Sequence, residues 1–101
     1  MDSLTTYQYF ADGEWHDPTS GKWIESENPA TGEVWARVPD CNEADVDRAV
    51  QAAKSAFYDG PWPQMNGAER SQMLRRIGDV VIENAERLGE VETRDNGKLP
   101  K

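Results

Sequence analysis

An α/β arrangement, with short β-hairpins followed by two or three helices, is what this 101-residue sequence predicts. Three observations predict it. Between Tyr7 and Asp40, residues that suit a pleated surface come in short bursts separated by Gly-containing turns. From Asn42 onward the apolar residues recur at helical spacing instead. The two long helical stretches each follow an Asn with an acidic residue three positions later, the signature of a capped helix start.

The strands and turns are expected over residues 7–40. "YFADGEWH" is the clearest case, because Asp12-Gly13 permits positive φ at both turn positions and so matches the twist of the strands it joins. "TSGK" and "ATGE" repeat the Gly punctuation at Gly21 and Gly32, around strand-like residues Trp23, Ile24, Val34, Trp35 and Val38. The residues between these turns do not match one another, so they are not an internal repeat.

The helices are expected over residues 42–97. Val46, Ala49, Val50, Ala53, Ala56 and Phe57 fall on one face of the first, with Asn42 as its N-cap and Asp45 three residues on. Gly60, Pro61 and Pro63 exclude its continuation. A second cap stands at Asn66 with Glu69, and Met73, Leu74, Ile77, Val80, Val81, Leu88 and Val91 continue the apolar stripe. Asn84 interrupts that stripe and predicts either a bend or a fresh N-cap. Asp95-Asn96-Gly97 suits a helix stop with Gly97 left-handed, and Pro100 beyond it cannot extend the helix. Both stripes are read as core packing faces.

Composition excludes several classes of function. Eleven Lys and Arg against 19 Asp and Glu give a formal charge of −8, which works against attraction to nucleic acid or to anionic lipid. No stretch approaches the roughly 20 apolar residues of a membrane helix. The opening "MDSLTTYQYF" lacks the basic and apolar regions of a secretory signal. The single cysteine, Cys41, can form neither an internal disulfide nor a CxxC pair. A cytoplasmic protein with no nucleic-acid or membrane partner is the expectation.

Groups able to carry chemistry are few. His16 is the sole histidine, and it has no Cys, Ser or second His near it in sequence, so a surface or packing role fits it better than catalysis. Cys41 precedes a helix whose positive end would lower a thiol pKa, but no base accompanies it. The glycines form neither G-x-G-x-x-G nor G-x-x-x-x-G-K-[ST], and "DNGKLP" shares only a GK pair with the latter. Arg75-Arg76 fits a solvated helix face. Residue chemistry alone therefore yields an architecture and no active site.

The order of motifs adds to this. "FADGEW", "ENPATGEVWARVP", "EADVDRAVQAAKSAF" and "LRRIGDVVIENAERLGEVETRDNGK", spanning about Phe10 to Lys98, together resemble the N-terminal segment of the NAD(P)-dependent aldehyde dehydrogenase family. Where the family often has Pro directly after the final Lys, Leu99 intervenes here before Pro100. The resemblance implies that residues 1–101 are the N-terminal part of a Rossmann-like cofactor-binding domain, and that the chain is a fragment of a longer one.

By the same resemblance the complete protein would oxidise a small aldehyde to a carboxylic acid with NAD or NADP, and would form a homo-oligomer. The family's nucleophilic cysteine, its glutamate base and its oxyanion-holding asparagine match no position here, so no catalytic or cofactor-binding residue is carried over, and the fragment alone is expected to bind no cofactor. Some members hold a monovalent cation, and the matching positions are Ser26, Glu27 and Asp95. The alternative reading, from a different functional class, is a stand-alone α+β interaction module of common ancestry with that segment.

Overall fold

The computed structural model describes residues 4–98. Leu99 and Pro100, where the sequence departs from the family pattern, lie outside the described residues. Along the chain come β1 (Thr5–Thr6), β2 (Tyr9–Ala11), β3 (Glu14–His16), β4 (Trp23–Asn28) and β5 (Glu33–Pro39). Then follow α1 (Glu43–Asp59), a single 3₁₀ turn (Trp62–Gln64), α2 (Gly67–Glu83) and α3 (Ala85–Asn96). The order expected from periodicity, short strands and turns followed by helices, is what the chain forms.

The first hairpin is closed by Asp12 and Gly13, with φ of 54° and 76°. Positive φ at both positions gives the turn whose twist suits antiparallel strands, so Phe10 pairs with Trp15 and Ala11 with Glu14. A second hairpin joins β4 to β5 around Asn28-Pro29-Ala30-Thr31-Gly32. There the Asn28 side chain accepts from the Ala30 N–H at 2.9 Å, and the Asn28 carbonyl accepts from the Gly32 N–H at 2.7 Å. This is an Asx turn, the local reason that Asn precedes Pro here. The ladder shifts register once, from Ser26 opposite Ala36 to Glu27 opposite Val34, which leaves Trp35 as the extra residue of a bulge.

One strand lies outside the 7–40 span expected for strands. Thr5–Thr6 pairs in parallel with β5, setting Thr5 beside Ala36 and Thr6 beside Arg37, so the sheet has three strands in the order β1-β5-β4. Arg37 Nε donates to Thr6 Oγ1 at 2.9 Å. A two-residue strand has no periodicity to read, and its partner lies some thirty residues away, so only the tertiary fold defines it.

Both long helices start on their expected caps. Asn42 Oδ1 accepts from the Asp45 N–H at 3.1 Å while Asp45 Oδ2 accepts from the Asn42 N–H at 3.1 Å, and Asn66 and Glu69 repeat the exchange at 2.9 and 3.1 Å. Asn84 separates α2 from α3 without capping α3. Its Nδ2 instead donates back to the Val80 carbonyl at 2.9 Å, closing α2. The result is two helices, with the side chain serving the earlier of them.

Little of this surface is enclosed. Among the described residues only Ala11, Pro18 and Ala36 are buried apolar residues, whereas Leu74 is 60% exposed and Ile77 57%. The radius of gyration is 17.2 Å, against about 13 Å for a compact domain of this length. The chain is a slab of 48 × 37 × 17 Å. Sequence periodicity fixes which face of α2 is apolar, but α3 is the helix that packs on β4, and the α2 stripe of Met73, Leu74, Ile77, Val80 and Val81 stays exposed. Each such side chain left in water forgoes about 1.5–3 kcal/mol of burial, so a few of them match the whole stability of a small domain. The isolated chain is accordingly expected to be helical by far-UV circular dichroism, to bind a hydrophobic dye, and to unfold in urea without a sharp transition. A cooperative transition from a dye-free monomer would contradict this.

Candidate functional site

Ser26, Glu27 and Asp95 are the positions that the family resemblance offers for a monovalent cation. Ser26 and Glu27 sit on β4 at the bulge, and Asp95 lies in the last turn of α3. The fold brings two of them into contact, since Ser26 Oγ donates to Asp95 Oδ1 across 69 positions of sequence. Glu27 is exposed and pairs with Val34 across the ladder.

The end of α3 fixes this meeting. Gly97 adopts φ 74°, ψ 8°, and its N–H donates to the Thr93 carbonyl at 2.9 Å, a left-handed helix stop of the kind the sequence predicts. A Cβ at position 97 would stand 3.1 Å from Pro29 Cγ, so the glycine also lets α3 approach the β4–β5 turn. Between α3 and the sheet runs a cleft of about 470 Å³, walled by Ile24, Trp35 and Val91 with Ser26 and Asp95 among its lining residues. Trp35 Nε1 is buried without a hydrogen-bond partner among the described residues.

A second polar cluster joins the first hairpin to α1, and Asp45 is its centre. The carboxylate accepts from Tyr9 Oη at 2.8 Å and from the Thr19 N–H at 3.2 Å, besides its capping bond to Asn42. Asp45 is 1% exposed. Burial alone would push its carboxyl up, but the bonds from Tyr9, Asn42 and Thr19 outweigh burial and hold it below the ordinary carboxylate value. Tyr9 is pushed the other way, by burial first and then by its bond to Asp45. Sequence reading assigned Asp45 only the helix cap. Its tertiary partners lie 26 and 36 positions away, and no local signal marks them.

His16 belongs to this cluster as a packing group. Arg48 Nη1 stands 3.0 Å from Nδ1, and Nε2 stands 3.0 Å from the Ala11 carbonyl. A guanidinium only donates and a carbonyl only accepts, so these contacts fit the tautomer that carries its proton on Nε2. The ring also stacks on Tyr9, 5.1 Å between centroids. Cys41 is exposed, and partial desolvation together with the charges of Asp45 and Asp40 pushes its thiol up. That is the reverse of an activated nucleophile. Among the described residues no group of three or more His, Cys, Asp or Glu is placed to hold a metal ion.

The sequence profile of the Aldehyde dehydrogenase family matches residues 15–101. The chain belongs to the aldehyde dehydrogenase family. It is 45% identical over 91 residues to aldehyde dehydrogenase family 2 member B4, mitochondrial, of Arabidopsis thaliana, covering 90% of this chain and 17% of that relative. A mitochondrial aldehyde dehydrogenase of Rattus norvegicus is 44% identical over 92 residues, again 90% of this chain and 18% of the relative. Among solved structures, the NAD-dependent aldehyde dehydrogenase of Sinorhizobium meliloti superposes with a TM-score of 0.89 at 38% identity, over 97% of this chain and 19% of that one. The Mycobacterium tuberculosis aldehyde dehydrogenase complexed with NAD+ gives 0.88 at 35% identity, over 97% of this chain and 20% of its own. The chain thus spans about a fifth of the length of the family members it matches.

Within the family segment, the Asp45 cluster has a measurable pH signature. Its carboxyl titrates lower in the folded chain than in the unfolded one. The stability it contributes is therefore complete above the ordinary carboxylate range and is lost as pH falls through the folded value. Asp45→Asn should flatten that acid limb of a stability-against-pH profile and lower the plateau above it. An unchanged acid limb in the variant would remove Asp45 from this role.

Proposed function

We propose that this segment is the N-terminal part of the cofactor-binding domain of an enzyme that oxidises an aldehyde to a carboxylic acid with NAD or NADP. The observation that carries the reading is the superposition of nearly the whole chain on an aldehyde dehydrogenase at 38% identity. One solved relative is an NAD-dependent aldehyde dehydrogenase and another is complexed with NAD+, which favours NAD of the two cofactors. The proposal includes a homo-oligomer for the complete protein. It also includes a cytoplasmic setting, supported by a lone cysteine that needs no oxidising compartment. No helix among the described residues is long and apolar enough to cross a membrane. The independent-module reading gains no support, because an autonomous domain would enclose the stripes that this chain leaves exposed.

The segment's own part in that activity is structural. It supplies a hairpin, a three-stranded sheet and three helices, and none of its residues is assigned to the aldehyde or the nicotinamide. A monovalent cation held by Ser26, Glu27 and Asp95 belongs to the same proposal. The Ser26–Asp95 contact supports it by setting oxygen atoms of β4 and α3 side by side, the donor type a hard cation takes.

The tests separate segment from enzyme. Purified residues 1–101 should form no NADH or NADPH from an aldehyde and show no cofactor binding by calorimetry, whereas a chain carrying the rest of the family fold should reduce one of them in an aldehyde-dependent way. Turnover by the segment, or none by the longer chain with either cofactor, would overturn the proposal. For the cation, the melting temperature of the longer chain should rise in sodium or potassium chloride relative to tetramethylammonium chloride, and Asp95→Asn should abolish the difference. Equal melting temperatures in all three salts would remove the site.

A further inference from the structure

The chain contains five asparagines, and two of them, Asn66 and Asn96, precede glycine. Asn-Gly is the dipeptide in which the asparagine side chain is most open to attack by its neighbour's backbone nitrogen, because glycine adds no side-chain bulk and restricts rotation least. Both asparagine side chains accept a backbone N–H, Asn66 Oδ1 from Glu69 at 2.9 Å and Asn96 Oδ1 from Lys98 at 2.8 Å, so the two copies differ at the attacking glycine nitrogen.

At the second site the nitrogen is occupied. Gly97 donates its N–H to Thr93, Asn96 Oδ1 accepts from the Lys98 N–H at 2.8 Å, and Gly97 lies against Pro29. Ring closure there must break the helix stop. At the first site Gly67 is the opening residue of α2, one of the positions whose N–H has no intrahelical acceptor. Among the described residues its N–H enters no hydrogen bond. Asn66 is exposed and extended, with φ −80° and ψ 173°, and nothing lies within 4 Å of where a Cβ on Gly67 would stand.

We propose that Asn66-Gly67 is a site of spontaneous modification, at which the asparagine converts to aspartate, which keeps the cap of α2, and to isoaspartate, which removes it. The Gly67 nitrogen, after giving its proton to solvent, attacks Asn66 Cγ. The N–Cγ bond forms, the Cγ–Nδ2 bond breaks, and Nδ2 leaves as ammonia with a proton from water. Water then opens the resulting five-membered imide at either carbonyl. Opening at Cγ gives aspartate, whose carboxylate can still accept from the Glu69 N–H. Opening at the backbone carbonyl gives isoaspartate, which routes the main chain through Cβ and Cγ and separates the two halves of the Asn66–Glu69 exchange. One product keeps the helix start and the other removes it.

The experiment is incubation of a chain carrying the rest of the family fold at neutral pH and body temperature, in buffer and in concentrated urea, with peptide mapping by mass spectrometry and a chromatographic separation of the isoaspartyl form. In buffer, conversion at Asn66 should run several-fold faster than at Asn96. In urea, where both are unstructured Asn-Gly pairs, the two rates should converge. Gly67→Ala, for which there is room, should suppress conversion at Asn66 while leaving the far-UV spectrum unchanged. Equal rates in buffer, faster conversion at Asn96, or a rate at Asn66 indifferent to Gly67→Ala would each overturn the proposal.

Discussion

A buried carboxylate has to be satisfied, and the arrangement of this chain's first half follows from how Asp45 is satisfied. Its oxygens take hydrogen bonds from a hairpin side chain, a loop amide and the amide of its own helix cap. Leaving an ionised group unpaired in that position would cost far more than any single apolar contact on the slab contributes. The positive end of α1 adds to the same balance. Tyr9 and Thr19 therefore cannot drift from the start of α1. The hairpin is held against the helix by polar bonds in a region where, among the described residues, the buried apolar side chains are the small ones of Ala11 and Pro18.

Local chemistry in the sequence was enough to locate whatever is held by neighbours. Asp12-Gly13, the Asn42–Asp45 and Asn66–Glu69 exchanges and the left-handed Gly97 each need only a few consecutive residues, and each stands where those residues put it. Features made by distant partners were not legible. The parallel strand at Thr5–Thr6 exists because Ala36 and Arg37 lie beside it, and the tertiary role of Asp45 exists because Tyr9 and Thr19 reach it. Asn84 shows the intermediate case. A break in the stripe was visible, but whether the side chain would serve α2 or α3 depended on a choice between two nearby backbone partners, and it took the Val80 carbonyl.

The candidate cation positions illustrate the same limit from another side. Nothing in the composition of Ser26, Glu27 and Asp95 singles them out, and only resemblance to a family named them together. The fold brings two of the three into contact. Gly97 allows α3 to close against Pro29, and that closure carries Asp95 to Ser26. Glu27, one residue beyond the point where the bulge at Trp35 shifts the register, is exposed and is not part of that contact.

Polar bonds thus fix positions within the slab, while the apolar faces that would normally supply most of its stability remain open. This division is informative about what the segment is for. Caps, turns and the Asp45 cluster are satisfied internally, so the chain can hold the shape it shares with its solved relatives at a TM-score near 0.9. The α2 stripe and the indole N–H of Trp35 are satisfied by nothing among the described residues. A surface that is shaped locally and left apolar is one built to be covered, and a chain that matches only a fifth of its relatives' length lacks most of the surface with which they could cover it. On the proposed reading, the exposure of the stripe has a plain cause: the segment contributes framework to a site whose reacting atoms are carried elsewhere in the complete protein.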